Sequence, residues 1–106
     1  MKKENIKKLK KIIGYFNSNK QIVKSIEELS ELQKELCKFL IADSEKPIDT
    51  GDNKATSTAK KNITEEMADV MIMLQQLLII FENEDKVEEI IKSKIERTLK
   101  YFSIKE

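Results

Sequence analysis

The strongest constraint on the fold is an apolar stretch from Met67 to Phe81, in which only Asp69, Gln75 and Gln76 are polar. A helix that is apolar nearly all round is normally buried in a core or in an interface. This stretch is too short and too interrupted to span a bilayer. The chain must therefore cover it with its other segments or with a second copy of itself.

Apolar residues recur at helical spacing in four segments of the chain: residues 6–16, 20–42, 64–82 and 86–103. Two Gly, one Pro and 6% aromatic residues supply few of the turn and strand formers that a barrel or sandwich needs. The sequence therefore predicts an all-α, four-helix bundle-like fold. It forms a single domain over residues 1–106, with a loop at about 43–62.

The apolar stretch also bears on assembly. A four-helix monomer of 106 residues has little surface with which to surround a helix that is apolar on every side. Interfaces between permanently associated subunits can bury such a helix. We therefore expect a homo-oligomer that shares its central helices.

The composition narrows the available chemistry. The chain has no His and a single Cys, Cys37, which excludes His-based triads, His-ligated zinc, internal disulfides and Cys-cluster metal sites. The net charge is +1 and Arg97 is the only Arg, so we expect no stable binding to nucleic acid. Without a cationic apolar leader, we expect a cytoplasmic protein with no membrane partner. Any catalysis would use carboxylates, Lys, hydroxyls or a bound metal.

Carboxylates are concentrated in two clusters, residues 27–35 and 65–69. Each contains a pair three residues apart, which a helix places on one side about one turn apart. The pairs are Glu28 with Glu31 and Glu66 with Asp69. The first pair borders a leucine stripe that we expect to be the core face of its helix: Leu29, Leu32, Leu36 and Leu40.

Asp69 is the most informative of these carboxylates. It lies one turn into the most apolar helix, where an ionised carboxylate is costly unless it is paired or binds a metal. Four carboxylates that meet would repel one another without a cation. All-oxygen ligands favour Mg²⁺ or Mn²⁺, so the sequence predicts a site for one of these ions.

A plainer interpretation exists for most of the acids. In a chain with 37% charged residues, Glu pairs three apart arise often by chance, and residues 27–35 alone would form a solvated helix face. Glu65 and Glu66 alone would be first-turn acids that interact favourably with the helix dipole. Asp69 fits neither interpretation.

Together these motifs resemble the MazG family of all-α nucleoside triphosphate pyrophosphatases. The family pattern is EExxE on one helix and ExxD on the next, and here it stands as Glu27-Glu28-Leu29-Ser30-Glu31 and Glu66-Met67-Ala68-Asp69. An apolar continuation, residues 70–74, follows as is usual in the family. The resemblance covers residues 22–102 and includes the ending Lys94-Ile95-Glu96-Arg97.

The resemblance implies a MazG-type fold, dimers or tetramers, and Mg²⁺-dependent hydrolysis of (d)NTPs to (d)NMPs and pyrophosphate as house-cleaning of nucleotide pools. The implied metal ligands are Glu28, Glu31, Glu66 and Asp69. Glu27 matches the leading Glu of the motif, as a further catalytic residue. The two motifs are farther apart than in compact MazG domains, and we expect residues 47–61 to be either a lid or a linker.

The remaining candidate site residues are identified by their positions in the sequence. Lys94 falls inside the apolar stripe of the fourth segment, where it either extends to solvent or pairs with an acid or a phosphate. Arg97 lies one turn on and can bind a phosphate through two hydrogen bonds. A spare carboxylate could accept the proton of an attacking water, and the candidates are Glu27, Glu35 and Glu65.

Several alternatives stay open at this point. The chain could instead be a non-catalytic helical module that oligomerises through its third segment, or an all-α phosphohydrolase that acts on another phosphorylated metabolite. Four aromatic residues could stack on a base, and the sequence does not choose among them: Tyr15, Phe16, Phe39 and Phe81. The sequence does not specify the preferred base or sugar.

Overall fold

A computed structural model describes residues 1–44 and 54–106 and arranges them in four helices. These are α1 (Lys3–Phe16), α2 (Ser18–Ser44), α3 (Lys54–Phe81) and α4 (Glu84–Tyr101). Within these residues there is no strand, and the prediction of an all-α helical bundle is confirmed. None of the helices in the described part of the chain has the length and apolar character needed to cross a membrane.

Asn17 joins α1 to α2. Its backbone N–H donates a hydrogen bond to the Ile13 carbonyl (2.8 Å) as α1 ends, and its φ of 78° with a ψ of 158° takes the chain out of the helical conformation. Its side-chain Oδ1 accepts a hydrogen bond from the Lys20 backbone N–H (3.0 Å). Asn is a preferred residue for capping a helix in this way. One residue therefore ends α1 and begins α2.

The antiparallel pair of α2 and α3 is the centre of the molecule. Near the start of α2, Gln21 Nε2 donates a hydrogen bond to Oε1 of Gln76 (2.7 Å), near the end of α3. Two turns further along α2, Glu28 lies beside Asp69, which is two turns earlier in α3. Both glutamines are buried, so losing either one would leave a buried polar group unpaired. We infer that this amide pair fixes the register of the two helices.

The apolar core of a single chain is small. Only four hydrophobic residues among those described are buried: Leu9, Ala59, Val70 and Met73. The first comes from α1 and the others from α3, while α4 has no buried residue. The radius of gyration is 18.0 Å, against about 13 Å for a compact chain of this length. A single chain therefore leaves much of its apolar surface uncovered.

The burial of α2 differs from the sequence expectation. We expected its leucine stripe to be the core face, but Leu29, Leu36 and Leu40 are all exposed. The residues that α2 buries are polar: Gln21, Ser25 and Glu35. The reason is that α3 packs on the face of α2 that carries these polar residues, so the leucine stripe is left for some other surface to cover.

The loop at 43–62 is a second correction. Asp43 and Ser44 belong to α2, and residues 54–62 form the first turns of α3. Thr, Ser and Asn are weak helix formers, but packing overrides propensity when a segment is buried, as it is at Thr56 and Ala59. The proposed lid or linker at 47–61 is thus helical from 54 onward. Its other part lies outside the described residues.

Candidate metal centre

Glu28 is the carboxylate that α2 contributes to the centre. It lies three residues after Ser25, on the side of α2 that packs against α3, and its side chain is 14% exposed. Its Oε1 is 3.2 Å from Nζ of Lys24, one turn earlier on the same helix. The ion pair partly neutralises Glu28 and holds it at the boundary between the two helices.

Helix α3 brings two further carboxylates to the same place. Glu66 and Asp69 lie three residues apart, and each can offer one oxygen to a group that also includes Glu28. The three oxygens lie within 4.8 Å of one another. Two ligands of the same Mg²⁺ are about 3–4 Å apart, since Mg–O distances are about 2.1 Å. The separation therefore suits a shared cation after small side-chain movements.

One oxygen of Glu66 has no partner among the described residues. Its Oε2 is buried and accepts no hydrogen bond from the described residues. A buried carboxylate oxygen without a partner is unfavourable, because the water it has lost is not replaced. A cation held between Glu66, Glu28 and Asp69 would remove this cost, so the donor set fits Mg²⁺ or Mn²⁺.

The electrostatics of the centre are those of crowded carboxylates. Burial raises the pKa of Glu66 above its ordinary value, and the adjacent carboxyl of Glu28 raises it further, as do Asp69 and Glu31. Burial also raises the pKa of Asp69, with Glu28 next in importance, while Lys24 acts in the opposite direction. Without a cation, the full ionisation of these carboxylates is therefore unfavourable.

The other acids of the two motifs lie around this group. Glu31 is exposed and lies outside the group of three, but its charge acts on Glu66. Glu27 is exposed, with Oε2 3.7 Å from Nζ of Lys24. Glu65 is exposed on α3, and its charge acts on Asp69. The structure thus brings Glu28, Glu66 and Asp69 together, with Glu31 and Glu27 at the edge.

Glu35 is more enclosed than its role in the sequence analysis suggested. It is 9% exposed, and its Oε1 is 3.4 Å from Nζ of Lys38. Its Oε2 is buried and receives no hydrogen bond from the part of the chain that is described. The spacing of seven residues from Glu28 already puts it on the same face of α2. That spacing could have indicated that Glu35 also faces α3.

Lys94 and Arg97 lie on α4, away from this group. Both are exposed, and neither is among the charges that shift the pKa of Glu66 or Asp69. Lys94 lines a small surface depression together with Ile95, Thr98 and Leu99. Within one chain, therefore, the structure does not bring these two cations to the carboxylates.

Lys24 is a residue of the site that sequence reasoning missed. It pairs with Glu27 and Glu28, and these carboxylates raise the pKa of its ammonium group. A Lys three or four residues before a Glu is common on exposed helix faces. Its spacing therefore gave no sign that it would lie beside the carboxylates of another helix.

Comparisons with known proteins give no match for this chain: no protein-family model, no curated protein and no solved structure is similar to it.

Proposed function

We propose that this protein is a Mg²⁺-dependent nucleoside triphosphate pyrophosphohydrolase that converts (d)NTPs to (d)NMPs and pyrophosphate. The observation that carries the proposal is the meeting of Glu28, Glu66 and Asp69, together with the buried Glu66 Oε2, which accepts no hydrogen bond from the described residues. The sequence resemblance to MazG pyrophosphatases supplies the reaction. The role would be house-cleaning of cytoplasmic nucleotide pools, and Mn²⁺ could replace Mg²⁺.

The residues of the site would have two roles, metal binding and proton transfer. Glu28, Glu66 and Asp69 would hold the cation. Glu31, whose charge acts on Glu66 from the next turn of α2, would be the fourth ligand that the family resemblance implies. A bound Mg²⁺ polarises phosphoryl oxygens and lowers the pKa of a water. Glu27, which is exposed and pairs with Lys24 beside the group, would accept the proton of the attacking water.

The proposed reaction needs no covalent intermediate. The oxygen of a water forms a bond to phosphorus, and the bridging bond between the α and β phosphates breaks. Pyrophosphate leaves with the electron pair of that bond. Phosphoryl transfer depends mainly on positioning and on neutralising charge. A site built from carboxylates and Lys, in a chain without His, can meet these needs.

The experiment that tests the proposal measures pyrophosphate and orthophosphate released from a panel of dNTPs and NTPs, with Mg²⁺ and with EDTA. We expect Mg²⁺-dependent pyrophosphate and a monophosphate product. Orthophosphate instead would indicate a different cleavage point. No release from any nucleotide by the folded protein would favour the non-catalytic helical module, for which the exposed apolar faces are the supporting observation.

We further propose that the protein acts as a dimer or tetramer. A single chain has 8871 Å² of accessible surface, whereas a compact monomer of its mass exposes ~6,100 Å². The surplus is well above the ~800 Å² that each partner buries in a standard interface. Large apolar residues are exposed on three helices, and they include Leu36, Leu40, Met71, Leu74 and Ile95.

Sedimentation velocity at micromolar protein concentration tests this assembly. We expect a dimer or tetramer and no substantial monomer. Leu36→Glu and Ile95→Glu place a charge on the exposed apolar faces of α2 and α4 and should shift the population towards monomer. Lys92→Glu, a change at an exposed residue of α4, is the control. A wild-type protein that sediments only as monomer would contradict the proposal.

Lys94 would bind substrate phosphate from the α4 of another copy, since it does not reach the carboxylates of its own chain. Hydrogen bonds to charged groups contribute about 1.5–3 kcal/mol, so Lys94→Ala should reduce kcat/KM roughly 10- to 100-fold. The fold should persist, because Lys94 is exposed. Steady-state kinetics with circular dichroism measure both effects. Lys100→Ala on the same helix is the matched control, and wild-type kinetics in Lys94→Ala would remove this residue from the site.

A further inference from the structure

A cleft of about 680 Å³ opens beside the carboxylates. Its walls come from the end of α1, the start of α2 and the later part of α3, and they include Phe16, Asn19, Gln21, Val23, Lys24 and Met73. The volume falls within the range of small-molecule binding sites, and most of the lining is apolar, as is usual for such sites. None of the sequence motifs predicted this cleft.

The cleft adjoins the candidate metal centre at Lys24. Lys24 lines the cleft and contacts Glu28 at 3.2 Å, so it belongs to both. On α3, Met73 lines the cleft and Asp69 lies four residues earlier, about 6 Å along the helix. A ligand in the cleft would therefore lie within one to two helical turns of the three carboxylates.

The apolar walls suit a flat heteroaromatic ring. The Phe16 ring lines the cleft while 44% of the residue is exposed, which leaves it accessible for stacking. Its edge-to-face contact with Tyr15, at 4.8 Å between ring centroids, restricts its orientation. Val23 and the thioether of Met73 supply further apolar surface.

One polar group of the cleft, the side-chain amide of Gln21, is held in a fixed position. Gln21 Nε2 donates to Gln76 Oε1 at 2.7 Å, and Gln76 Nε2 in turn contacts Met73 Sδ at 3.6 Å. This chain of contacts fixes the Gln21 amide, whose Oε1 accepts no hydrogen bond from the described residues. A base can stack on an accessible aromatic ring, and a fixed amide beside the ring can form a hydrogen bond with the edge of that base.

We propose that this cleft binds the nucleobase of the substrate, with Phe16 as the stacking residue. The inference rests on the proposed function, because the three carboxylates next to the cleft would hold the phosphates of the same nucleotide. Lys24, between the two, would contact the phosphate nearest the sugar. The structure thus selects Phe16 from the four aromatic residues that the sequence left open.

Kinetics of Phe16→Ala provide the first test. Base–aromatic stacking in nucleic-acid binding predicts a rise in KM of roughly 5- to 150-fold, with kcat changed much less. Methyl triphosphate, which has no base, should be a poor substrate that Phe16→Ala does not impair further. Phe16→Trp keeps a stacking surface and should restore a KM near that of wild type. Tyr101→Ala removes an exposed aromatic residue of α4 that neither lines the cleft nor contacts Phe16, and is the matched control.

A binding measurement separates this inference from the proposed function. In protein labelled with ¹³C at the methionine methyl groups, cytidine and adenosine, added separately without phosphate, should shift the Met73 signal in wild type. The shift should be much smaller in Phe16→Ala. A Met73 shift without turnover of any nucleotide would support the cleft and overturn the pyrophosphatase. Turnover with no Met73 shift and an unchanged KM in Phe16→Ala would overturn the cleft and leave the enzyme intact.

The cleft could also be covered by a second copy of the chain. In that case Phe16→Ala would change the sedimentation coefficient and leave nucleotide binding unaltered. That result would overturn the nucleobase proposal. An unchanged sedimentation coefficient with weakened nucleoside binding is the result that we expect.

Discussion

Replacing Asp69 with Asn is expected to reduce kcat for nucleotide hydrolysis on the order of 10³-fold, with a folded protein. The substitution keeps the shape of the side chain and removes the charge that, with Glu28 and Glu66, would hold the cation. Stabilisation of a phosphoryl group by a bound metal is worth several kcal/mol, and each 1.36 kcal/mol is a factor of ten in rate. Pyrophosphate release under saturating Mg²⁺ and substrate measures the effect.

The same substitution should have the opposite effect on the metal-free protein. Without a cation, Asp69 is a carboxylate crowded by Glu28, and burial and this neighbour raise its pKa. Asn relieves the repulsion, so at pH 7 in EDTA we expect Asp69→Asn to unfold at the same temperature as wild type or higher. Loss of activity together with unchanged or increased stability would identify a residue kept for function and not for folding.

The matched control is Asp43→Asn. It is the same chemical change at an exposed residue in the last turn of α2, outside the carboxylate group. We expect this variant to keep wild-type activity and the wild-type response to Mg²⁺. If Asp69→Asn also kept full activity, the carboxylate group would not be the catalytic centre. The helical module would then be the better description of the chain.

How much of the centre was predictable can be judged from its individual residues. Glu28, Glu66 and Asp69 were all predicted as metal ligands, because spacing along a helix determines which side chains share a face. The sequence also placed Asp69 in an apolar helix, where a buried carboxylate is costly, whereas in a single chain Asp69 is exposed and lies beside Glu28. What sequence could not give is the pairing of helices, which brings Glu28 of α2 within 4.8 Å of two carboxylates of α3.

The errors in the sequence analysis have a common physical origin. The leucine stripe of α2 and residues 54–62 were interpreted from local pattern and propensity alone. In the folded chain α2 turns its polar face, with Gln21 and Ser25, towards α3, and the start of α3 is helical because it packs there. Tertiary contacts determine which face of α2 is buried and whether residues 54–62 are helical. Local pattern and propensity in a single sequence do not reveal these contacts.

The exposed leucine stripe also bears on how the site would work. In a single chain the exposed apolar residues of α2 and α4 face solvent, whereas Glu28, Glu66 and Asp69 meet where α2 packs on α3, with Asp69 itself exposed. A partner that covered the stripe would therefore leave the centre in place. The same partner could bring its own α4, with Lys94 and Arg97, to the open side of the neighbouring centre. Assembly and phosphate binding would then depend on the same contact between copies.

The second large effect that we expect is stabilisation of the protein by Mg²⁺ that depends on pH. Glu66 and Asp69 have raised pKa values in the folded chain, so the folded state holds their protons more tightly than the unfolded state. In the absence of metal, their contribution to stability is fully present below their ordinary pKa values of about 4. It is lost as the pH rises through the raised values.

Mg²⁺ should reverse this trend, because it binds the deprotonated carboxylates. We expect almost no change in Tm on adding Mg²⁺ near pH 4, and a change that grows as Glu66 and Asp69 ionise towards pH 7. At a Mg²⁺ concentration 100 times Kd, the stabilisation is about 2.7 kcal/mol. For a chain of this size that corresponds to a Tm increase of roughly 10–20 °C. Thermal unfolding at constant protein concentration, from pH 4 to 8, measures it.

The controls must separate binding of Mg²⁺ from screening of charge. Monovalent salt also weakens repulsion between carboxylates, so a NaCl sample of equal ionic strength is required at each pH. A Tm increase that NaCl reproduces, or that persists in Asp69→Asn, would mean that the carboxylates do not bind the cation. An increase confined to Mg²⁺ or Mn²⁺ and absent from Asp69→Asn would assign the ion to this centre. Because this measurement needs no substrate, it tests the metal site independently of any choice of nucleotide.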